Sequence, residues 1–303
     1  MTKLPICLVL VLIIPAFAQS APKRPKITAI DHVDFYTTSP EANQKLYATV
    51  LGLTMSQPVE PGQMQRYLVG SQWVGYSAAL DANPTNRLNH VGFRTEDAEG
   101  LSKYLASKGV KTPDSLTKWK DGTVSFTVKD PEGNSIEFVQ PAKFYRLQGA
   151  NSDPVSRRMI HAGFVVHDRA AEDRFYKDIL GFRPYWYGGM HPERTDWVAL
   201  QVPDGSDWLE YMLNIKPDAD LRTTGVMNHI SLGVNDMNAA QMKIESHGWT
   251  PSATEHSQIG RDGKLQLNVF DPDLTRIELM EFRPVDKPCC SEFTAPHPSE
   301  GGE

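Results

Sequence analysis

The chain has 303 residues, of which 40% are hydrophobic and 22% charged, a composition typical of a soluble globular protein with room for two domains. Its formal net charge is -6 and it contains no block of consecutive basic residues. Nucleic-acid binding therefore has no electrostatic support, and we expect no nucleic-acid partner.

The first eighteen residues differ from the rest of the chain. Lys3 precedes a nearly continuous apolar run over residues 6–14, and residues 16–18 (Ala-Phe-Ala) match the small-x-small pattern of a cleavage site. The run is too short to span a bilayer, and no later segment is apolar enough to do so. Residues 1–18 are therefore predicted to be a signal peptide cut after Ala18. We expect a periplasmic or secreted mature protein with no membrane association.

Three motifs occur twice, in the same order and at similar offsets, and they divide the chain into two modules. The paired motifs are Leu-Gly at 51–52 and 180–181, Asn-His at 89–90 and 228–229, and Asp-Pro…Ile-Glu at 130–137 and 271–278. We assign module one to residues 27–141 and module two to residues 157–284. The stretch between them, residues 142–156, carries Gly, Asn, Asp and Pro and is predicted to be a linker.

Within each module the same series of elements is predicted twice. An alternating strand begins near Ile30 and near Ile160, and a helix follows that ends at Leu-Gly, where glycine suits a left-handed C-cap. Three short strands come next, and the pattern restarts at Leu88 and at Met227. Each module is thus a pair of βαβββ units, and the fold class is α+β.

The C-terminal residues, 285–303, are rich in Pro, Ser and Glu, and we predict a disordered tail. This tail contains Cys289 and Cys290, whereas Cys7 lies in the predicted signal peptide. A disulfide between adjacent cysteines is strained, so we expect two exposed thiols, with oxidation as the alternative. No disulfide framework is available to hold the fold.

Histidine and glutamate side chains recur on one face of the predicted strands. In the first strand, alternation places Ile30 with His32 and Asp34, opposite Val33 and Phe35. A carboxylate on the face away from the helices is costly unless that face lines a wet cavity or a metal site. One histidine alone is more often structural. The prediction of a metal site rests on the whole set and its repetition: His32, His90, Glu137, His161, Glu210, His229 and Glu278.

At these positions the sequence resembles the vicinal-oxygen-chelate superfamily, which includes glyoxalase I, the extradiol ring-cleaving dioxygenases and the bleomycin resistance proteins. The resemblance covers nearly all of residues 27–284. Its most specific marks are Asn-His at 89–90 and Asp-Pro-Glu-Gly-Asn-Ser-Ile-Glu at 130–137. It implies two tandem modules whose strands curl into incomplete barrels, each around a divalent metal.

The resemblance also implies the ligands of that metal. In module two it implies a four-ligand set of His161, Glu210, His229 and Glu278. In module one it implies a three-ligand set of His32, His90 and Glu137, because Gly75 stands where module two has Glu210. Nitrogen and oxygen ligands without thiolate suit Zn, Ni, Co, Mn or Fe(II), with one ion expected per active module. The two-His-one-carboxylate set of module one suits non-haem Fe(II).

Three functions are compatible with this resemblance. The first is a glyoxalase I-like lyase, isomerase or epimerase at module two: the metal chelates two adjacent oxygens of a small-molecule substrate, and Glu210 or Glu278 removes a proton to give an enediolate. An exported enzyme would not meet the cytosolic glutathione adduct that glyoxalase I uses. The second is an Fe(II) extradiol dioxygenase acting on a catechol. The third is a metal-free binding or resistance protein with an aromatic cleft, for which Trp73, Tyr36, Trp208 and Met280 are candidates.

Overall fold

The computed structural model describes residues 22–56, 65–78, 85–142, 153–253 and 255–301. The predicted signal peptide lies outside these residues, and so does most of the predicted linker. Among the helices of the described segments, none combines the length and the apolar character needed to cross a membrane.

Module one forms an eight-stranded sheet in the strand order β2-β3-β4-β1-β5-β8-β7-β6. Its described elements are β1 (Ile27–Thr37), α1 (Pro40–Gln44), which continues as a π-helical segment (Lys45–Val50), β2 (Thr54–Ser56), β3 (Gln65–Val69), β4 (Gln72–Ala78), β5 (Leu88–Thr95), α2 (Ala98–Ser107), β6 (Thr117–Lys118), β7 (Val124–Lys129) and β8 (Ser135–Gln140). The opening strands of the two half-modules, β1 and β5, pair antiparallel at its centre.

Module two repeats this sheet in the order β10-β11-β12-β9-β13-β16-β15-β14. Its described elements are β9 (Met159–Val165), α3 (Arg169–Asp173), which continues as a π-helical segment (Arg174–Ile179), β10 (Arg183–Gly188), β11 (Trp197–Gln201), β12 (Trp208–Met212), α4 (Leu221–Met227), β13 (His229–Val234), α5 (Met237–Ser246), β14 (Gln258–Ile259), β15 (Leu265–Phe270) and β16 (Arg276–Glu281). The predicted α+β class and the paired βαβββ units are confirmed, with α4 as an addition.

The first helix of each module ends where the sequence predicts. Gly52 and Gly181 follow the last helical turns with φ of 66° and 81°, the left-handed conformation that a glycine C-cap adopts at little cost. The second helices begin at side-chain caps: Asp97 accepts a hydrogen bond from the backbone of Gly100, and Asp236 accepts one from Ala239. These local signals fix where the chain turns back onto each sheet.

One assignment of strand faces is wrong. Alternation places Ile30 with His32, but the Ile30 side chain is fully buried in the apolar core. The pairing of β1 with β5 shifts register between Ile30 and His32, which is a β-bulge at Asp31. Because a bulge inserts one residue into the alternation, Ile30 and His32 lie on opposite faces.

The two modules share one hydrophobic core. Phe93 of module one contacts Phe182 of module two edge-to-face, with ring centroids 5.2 Å apart. Equivalent residues at the starts of β4 and β12 also join the modules. The buried Gln72 amide bonds the backbone N–H and C=O of Met159, and the buried Asp207 carboxylate accepts the N–H of Ile30. Each module thus satisfies backbone groups in the first strand of the other.

The C-terminal strap, which we define as residues 285–301, differs from the disordered tail that we expected. It lies along the edge strand β10: Thr294 N–H donates to Tyr185 O, and Trp186 Nε1 donates to Cys289 O. Phe293 packs on Tyr185 with ring centroids 4.9 Å apart. The strap therefore covers a sheet edge and buries an aromatic side chain, which gives this segment a reason to be ordered. Cys289 and Cys290 form a disulfide, so the expectation of free thiols is wrong.

A buried carboxylate lies where α3 meets the last turn of module one. Glu172 is fully buried, and its Oε1 accepts the backbone N–H of Glu132 at 3.1 Å. Burial, followed by the negative charge of Asp130, raises the pKa of Glu172 to about 8. The equivalent position in module one is Asn43, a buried neutral amide. An uncharged side chain therefore suits this helix position in both modules.

We expect Glu172→Gln to raise the free energy of unfolding at neutral and alkaline pH. The folded chain keeps a proton at Glu172 that the unfolded chain releases above the ordinary glutamate pKa of 4.5, so stability falls as pH rises from 4.5 to about 8. The variant removes this loss, which amounts to at most about 1.4 kcal/mol per pH unit in that window. Urea unfolding of both proteins at several pH values measures the difference.

A matched control is Glu99→Gln, since Glu99 is exposed and pairs with Lys103 on the same helix. Its pH dependence should follow that of the wild type. If Glu172→Gln shows the same decline in stability with rising pH as the wild type, Glu172 is not the buried acid that we describe.

Candidate metal centres

In module one, three side chains from three strands meet at one point. His32 on β1 and His90 on β5 face each other with their Nε2 atoms 2.8 Å apart. Glu137 on β8 places Oε2 at 3.2 Å from His32 Nε2 and 3.5 Å from His90 Nε2. The structure thus brings together all three ligands expected in module one.

Module two repeats the arrangement with a fourth group. His161 on β9 and His229 on β13 have Nε2 atoms 3.0 Å apart. Glu278 on β16 places Oε2 at 3.3 Å from His161 Nε2. Glu210 on β12 places Oε2 at 3.8 Å from His161 Nε2 and 3.5 Å from His229 Nε2. The donor atoms of His161, Glu210 and His229 thus all lie within 4.8 Å of one another, and Glu278 approaches this group at His161.

The residues at one pair of equivalent strand positions explain why only one module has the fourth group. Asp34 of β1 is opposite Gly75 of β4, whereas Gly163 of β9 is opposite Glu210 of β12. The carboxylate and the glycine have exchanged strands between the modules. Asp34 does not join the cluster of module one in the way that Glu210 joins that of module two. Its Oδ2 lies 3.9 Å from Nδ1 of His90, on the far side of that ring. This oxygen accepts hydrogen bonds from Ser77 and Asn89.

The outer nitrogen of one histidine in each module is held by an acceptor. His32 Nδ1 lies 2.9 Å from Asp31 Oδ2, and His229 Nδ1 lies 2.9 Å from the carbonyl oxygen of Met227. A carbonyl or carboxylate oxygen accepts a hydrogen bond here, so in the neutral ring Nδ1 carries the proton and Nε2 presents a lone pair. Such contacts orient imidazoles that bind metals.

Electrostatics differ between the two clusters. In module one, burial opposes the charged form of His32, but Asp31 and Glu137 outweigh it and raise the pKa of His32 to about 9. Burial would likewise raise the pKa of Glu137, but hydrogen bonds from His32 and His90 hold it well below its usual range. The cluster of module one can therefore balance its own charge as an ion pair.

Module two lacks this internal compensation. Burial lowers the pKa of His229 to about 3 and raises that of Glu210 to about 7, and burial also raises the pKa of Glu278. His161 Nδ1 is buried and has no hydrogen-bond partner among the described residues. The two carboxylates of this buried cluster can be ionised at low cost only when a cation lies beside them.

The donor sets fit a divalent ion in both modules. In each module two imidazole Nε2 atoms lie within 3.0 Å of each other, and glutamate oxygens lie beside them. Lone pairs so placed repel each other unless a proton or a cation lies among them, and nitrogen with oxygen donors suits Zn, Ni, Co, Mn or Fe(II). The residues that would hold the ion are those already expected from the sequence.

A cavity adjoins each cluster. In module one it has a volume of about 400 Å³, and His32, His90 and Glu137 all line it. In module two it has a volume of about 100 Å³, and Glu210 and Glu278 line it while His161 and His229 are fully buried. The walls of the second cavity include Tyr185, Trp186, Trp208, Arg276, Met280 and Phe293. Of the aromatic residues considered for a cleft, Trp73 and Trp208 each line one cavity.

Several residues at these sites were missed by sequence reasoning. Asp31 supports His32 and is itself held by Arg94, but alternation alone assigns it to the opposite face. Lys264 is fully buried and lies over the Trp208 ring at 4.6 Å, and no local pattern indicates a buried lysine there. Phe293 comes from the tail that we expected to be disordered. The one sequence signal for Phe293 was the presence of an aromatic residue in an otherwise polar tail.

Metal content of purified variants tests both centres. After loading with Zn, Ni or Fe(II) under anaerobic conditions, we expect the wild type to retain one ion in each module. His90→Ala should lose the ion of module one alone, and Glu210→Ala should weaken the ion of module two alone, because each removes a donor from one cluster. Elemental analysis after desalting measures this. If the wild type retains no stoichiometric metal, the metal-free binding function takes the place of the enzymes.

Known proteins share this architecture. A variant of homoprotocatechuate 2,3-dioxygenase from Brevibacterium fuscum, in complex with HPCA, has a TM-score of 0.65 and 20% identity, and the match covers 86% of this chain and 73% of that chain. The anaerobic complex of that enzyme with 3,4-dihydroxyphenylacetate has a TM-score of 0.64 and 20% identity, with coverage of 89% and 86%. An extradiol ring-cleaving dioxygenase from the same organism has values of 0.65 and 19%, with coverage of 92% and 77%. At these identities the likeness shows the fold alone.

Family models match both modules, whereas no match was found among curated proteins. One model of the Glyoxalase/Bleomycin resistance protein/Dioxygenase superfamily matches residues 29–138, and a second model of the same superfamily matches residues 160–266. Together they account for more than half of the chain. The chain therefore belongs to the glyoxalase/bleomycin resistance protein/dioxygenase superfamily, with one domain of that family in each module.

Proposed function

We propose that this protein is a divalent-metal-dependent enzyme that transfers a proton beside a substrate carbonyl group, as a glyoxalase I-like lyase, isomerase or epimerase. The reaction is assigned to module two. The observation that carries this proposal is the pair of carboxylates, Glu210 and Glu278, which stand between the buried histidines and the cavity. A two-His-one-carboxylate site needs a single carboxylate. Module two therefore has a second carboxylate available as a general acid or base.

A divalent ion bound by His161, His229 and the carboxylates would supply Lewis-acid polarisation of the carbonyl and would hold two adjacent substrate oxygens. The chain supplies the base. Glu210 is the better candidate, because its side chain is 14% exposed against 3% for Glu278.

The rest of the cavity supports proton transfer. Tyr185, Trp186 and Phe293 form an aromatic wall that limits the access of water to a proton held on Glu210 Oε2. A carboxyl that takes a proton from one carbon can return it to the neighbouring carbon or to the other face of the same carbon. The first path gives an isomerase and the second an epimerase. Loss of a leaving group in place of reprotonation gives a lyase.

Hydrogen exchange tests this assignment without knowledge of the natural substrate. Metal-loaded protein is incubated in D₂O with hydroxyacetone and other small 2-hydroxy carbonyl compounds, and loss of the proton beside the carbonyl is followed by NMR. We expect Glu210→Gln to slow exchange by roughly a hundredfold, because it removes the base. The matched control is Glu99→Gln on the exposed face of α2, which should exchange as the wild type does. Metal bound in module two without exchange of any compound would contradict the proposal.

An extradiol dioxygenase at module one is the second candidate. His32, His90 and Glu137 form a two-His-one-carboxylate set, which suits Fe(II), beside the larger cavity. The similar solved structures include a dioxygenase bound to 3,4-dihydroxyphenylacetate, although the likeness extends to the fold alone. Oxygen uptake by the Fe(II)-loaded chain on addition of a catechol, abolished by His32→Ala, would establish this alternative.

We further propose that the protein acts after export. Support comes from the sequence of residues 1–18, with its basic start, apolar run and small-x-small site. We expect the protein isolated from its host to begin at Gln19, and an intact mass measurement decides this. A mass that includes Met1 would contradict export by a cleaved signal peptide.

A further inference from the structure

Arg276 has no acceptor for most of its hydrogen-bond donors, although it is nearly buried in the cavity of module two. Its side chain is 12% exposed, its Nη1 lies 3.7 Å from Glu278 Oε1, and its Nε is buried without a partner. Within the described part of the chain we find no hydrogen bond from this guanidinium. A guanidinium fork whose donors are mostly unmatched in a nearly buried position carries a large desolvation cost.

Three other arginines, Arg94, Arg158 and Arg261, hydrogen-bond to the protein. Arg94 bonds Asp31 through two nitrogens, and Arg158 bonds Asp207 in the same way. Arg261, which lines the same cavity as Arg276, donates to Gly189 O and to Cys289 Sγ. Of the two arginines that line the cavity of module two, Arg276 is therefore the one whose guanidinium has no hydrogen bond among the described residues.

The repeat shows that this cation belongs to one module only. Ser135 occupies the equivalent position in module one, two residues before Glu137, and its Oγ accepts a hydrogen bond from Lys129. The two modules thus keep the same imidazoles and carboxylate but differ in the side chain beside the carboxylate. A difference at this place alters what binds next to the metal centre and leaves its donors unchanged.

A second unpaired cation reinforces the charge of this cavity. Lys264 is fully buried, and its Nζ has no hydrogen-bond partner among the described residues. The ammonium lies over the ring of Trp208, which lines the cavity. A divalent ion would balance the charges of Glu210 and Glu278, which leaves only Asp262 of the buried cavity carboxylates to offset Lys264, Arg261 and Arg276. The loaded site therefore attracts an anion.

We infer that the substrate of module two carries a carboxylate close to its two chelating oxygens, and that Arg276 binds this carboxylate with its guanidinium fork. A planar carboxylate matches the fork and supplies the missing acceptors. This inference rests on the proposed metal-dependent function, which it extends to the substrate class of small vicinal-oxygen acids. Arg276 acts here as a specificity residue that touches the substrate.

Two compounds that differ in one group provide the test. Hydroxypyruvate and hydroxyacetone share the adjacent hydroxyl and carbonyl oxygens, but only hydroxypyruvate has a carboxylate. Their affinities for the Zn- or Ni-loaded full chain are measured by calorimetry, with metal content determined on the same samples. We expect hydroxypyruvate to bind the wild type at least roughly tenfold more tightly, as a charge-assisted pair implies. Arg276→Gln should bring the two affinities together without loss of metal, and Arg276→Lys should keep part of the preference.

Arg66→Gln is the matched control, because Arg66 is the arginine that lines the cavity of module one. It should leave the preference for hydroxypyruvate intact. Equal affinities in the loaded wild type, a preference that survives Arg276→Gln, or a preference lost in Arg66→Gln would each overturn the inference while the metal-dependent function stands. A module two that retains no metal overturns the proposed function, and this inference with it.

Discussion

The register of one antiparallel strand pair at the centre of each sheet determines both candidate sites. His32 is opposite Gly92 and His90 is opposite Asp34, so the two imidazoles are diagonal neighbours, and the same register relates His161 and His229. A slip of one residue would turn either histidine towards the helices. The rings also need space. A Cβ on Gly92 would lie 2.3 Å from the His32 ring, and one on Gly163 would lie 2.1 Å from the His229 ring.

Once the positions of the histidines are fixed, the cost of burying carboxylates beside them decides how strongly each cluster depends on a bound cation. Module one can pair Glu137 with a protonated His32, which Asp31 supports from behind, so its cluster tolerates the absence of a cation. Module two buries two carboxylates with two histidines whose pKa values burial lowers. The ionised carboxylates of module two therefore depend on a bound cation more strongly than Glu137 does, because an unpaired buried charge costs on the order of several kcal/mol. The module with more donors is therefore the one whose function and stability should respond more to metal.

Much of this architecture follows from sequence patterns, because a repeated motif and an alternation of residue types can each be recognised within a short stretch of sequence. The recurrent Leu-Gly and Asp-Pro motifs predict the module boundaries, and the two-residue period puts seven histidines and glutamates on the inner faces. Alternation fails at Asp31, where a bulge places two residues opposite one. Burial of Lys264 and order in the C-terminal strap depend on contacts between distant segments, so no local composition reveals them. The free fork of Arg276 is likewise visible only once its neighbours are known.

The differences between the modules lie beside the shared metal donors and not among the imidazoles. Module two has a second carboxylate, Glu210, opposite Gly163, whereas module one has Asp34 opposite Gly75 and places that carboxylate behind His90. Module two also adds Arg276 and the strap residue Phe293 around a cavity of about 100 Å³, while module one keeps an open cavity of about 400 Å³. An arginine fork and an aromatic cover would select a ligand by charge and by size. Together with the second carboxylate, they are the reason why the proposed reaction is placed in module two.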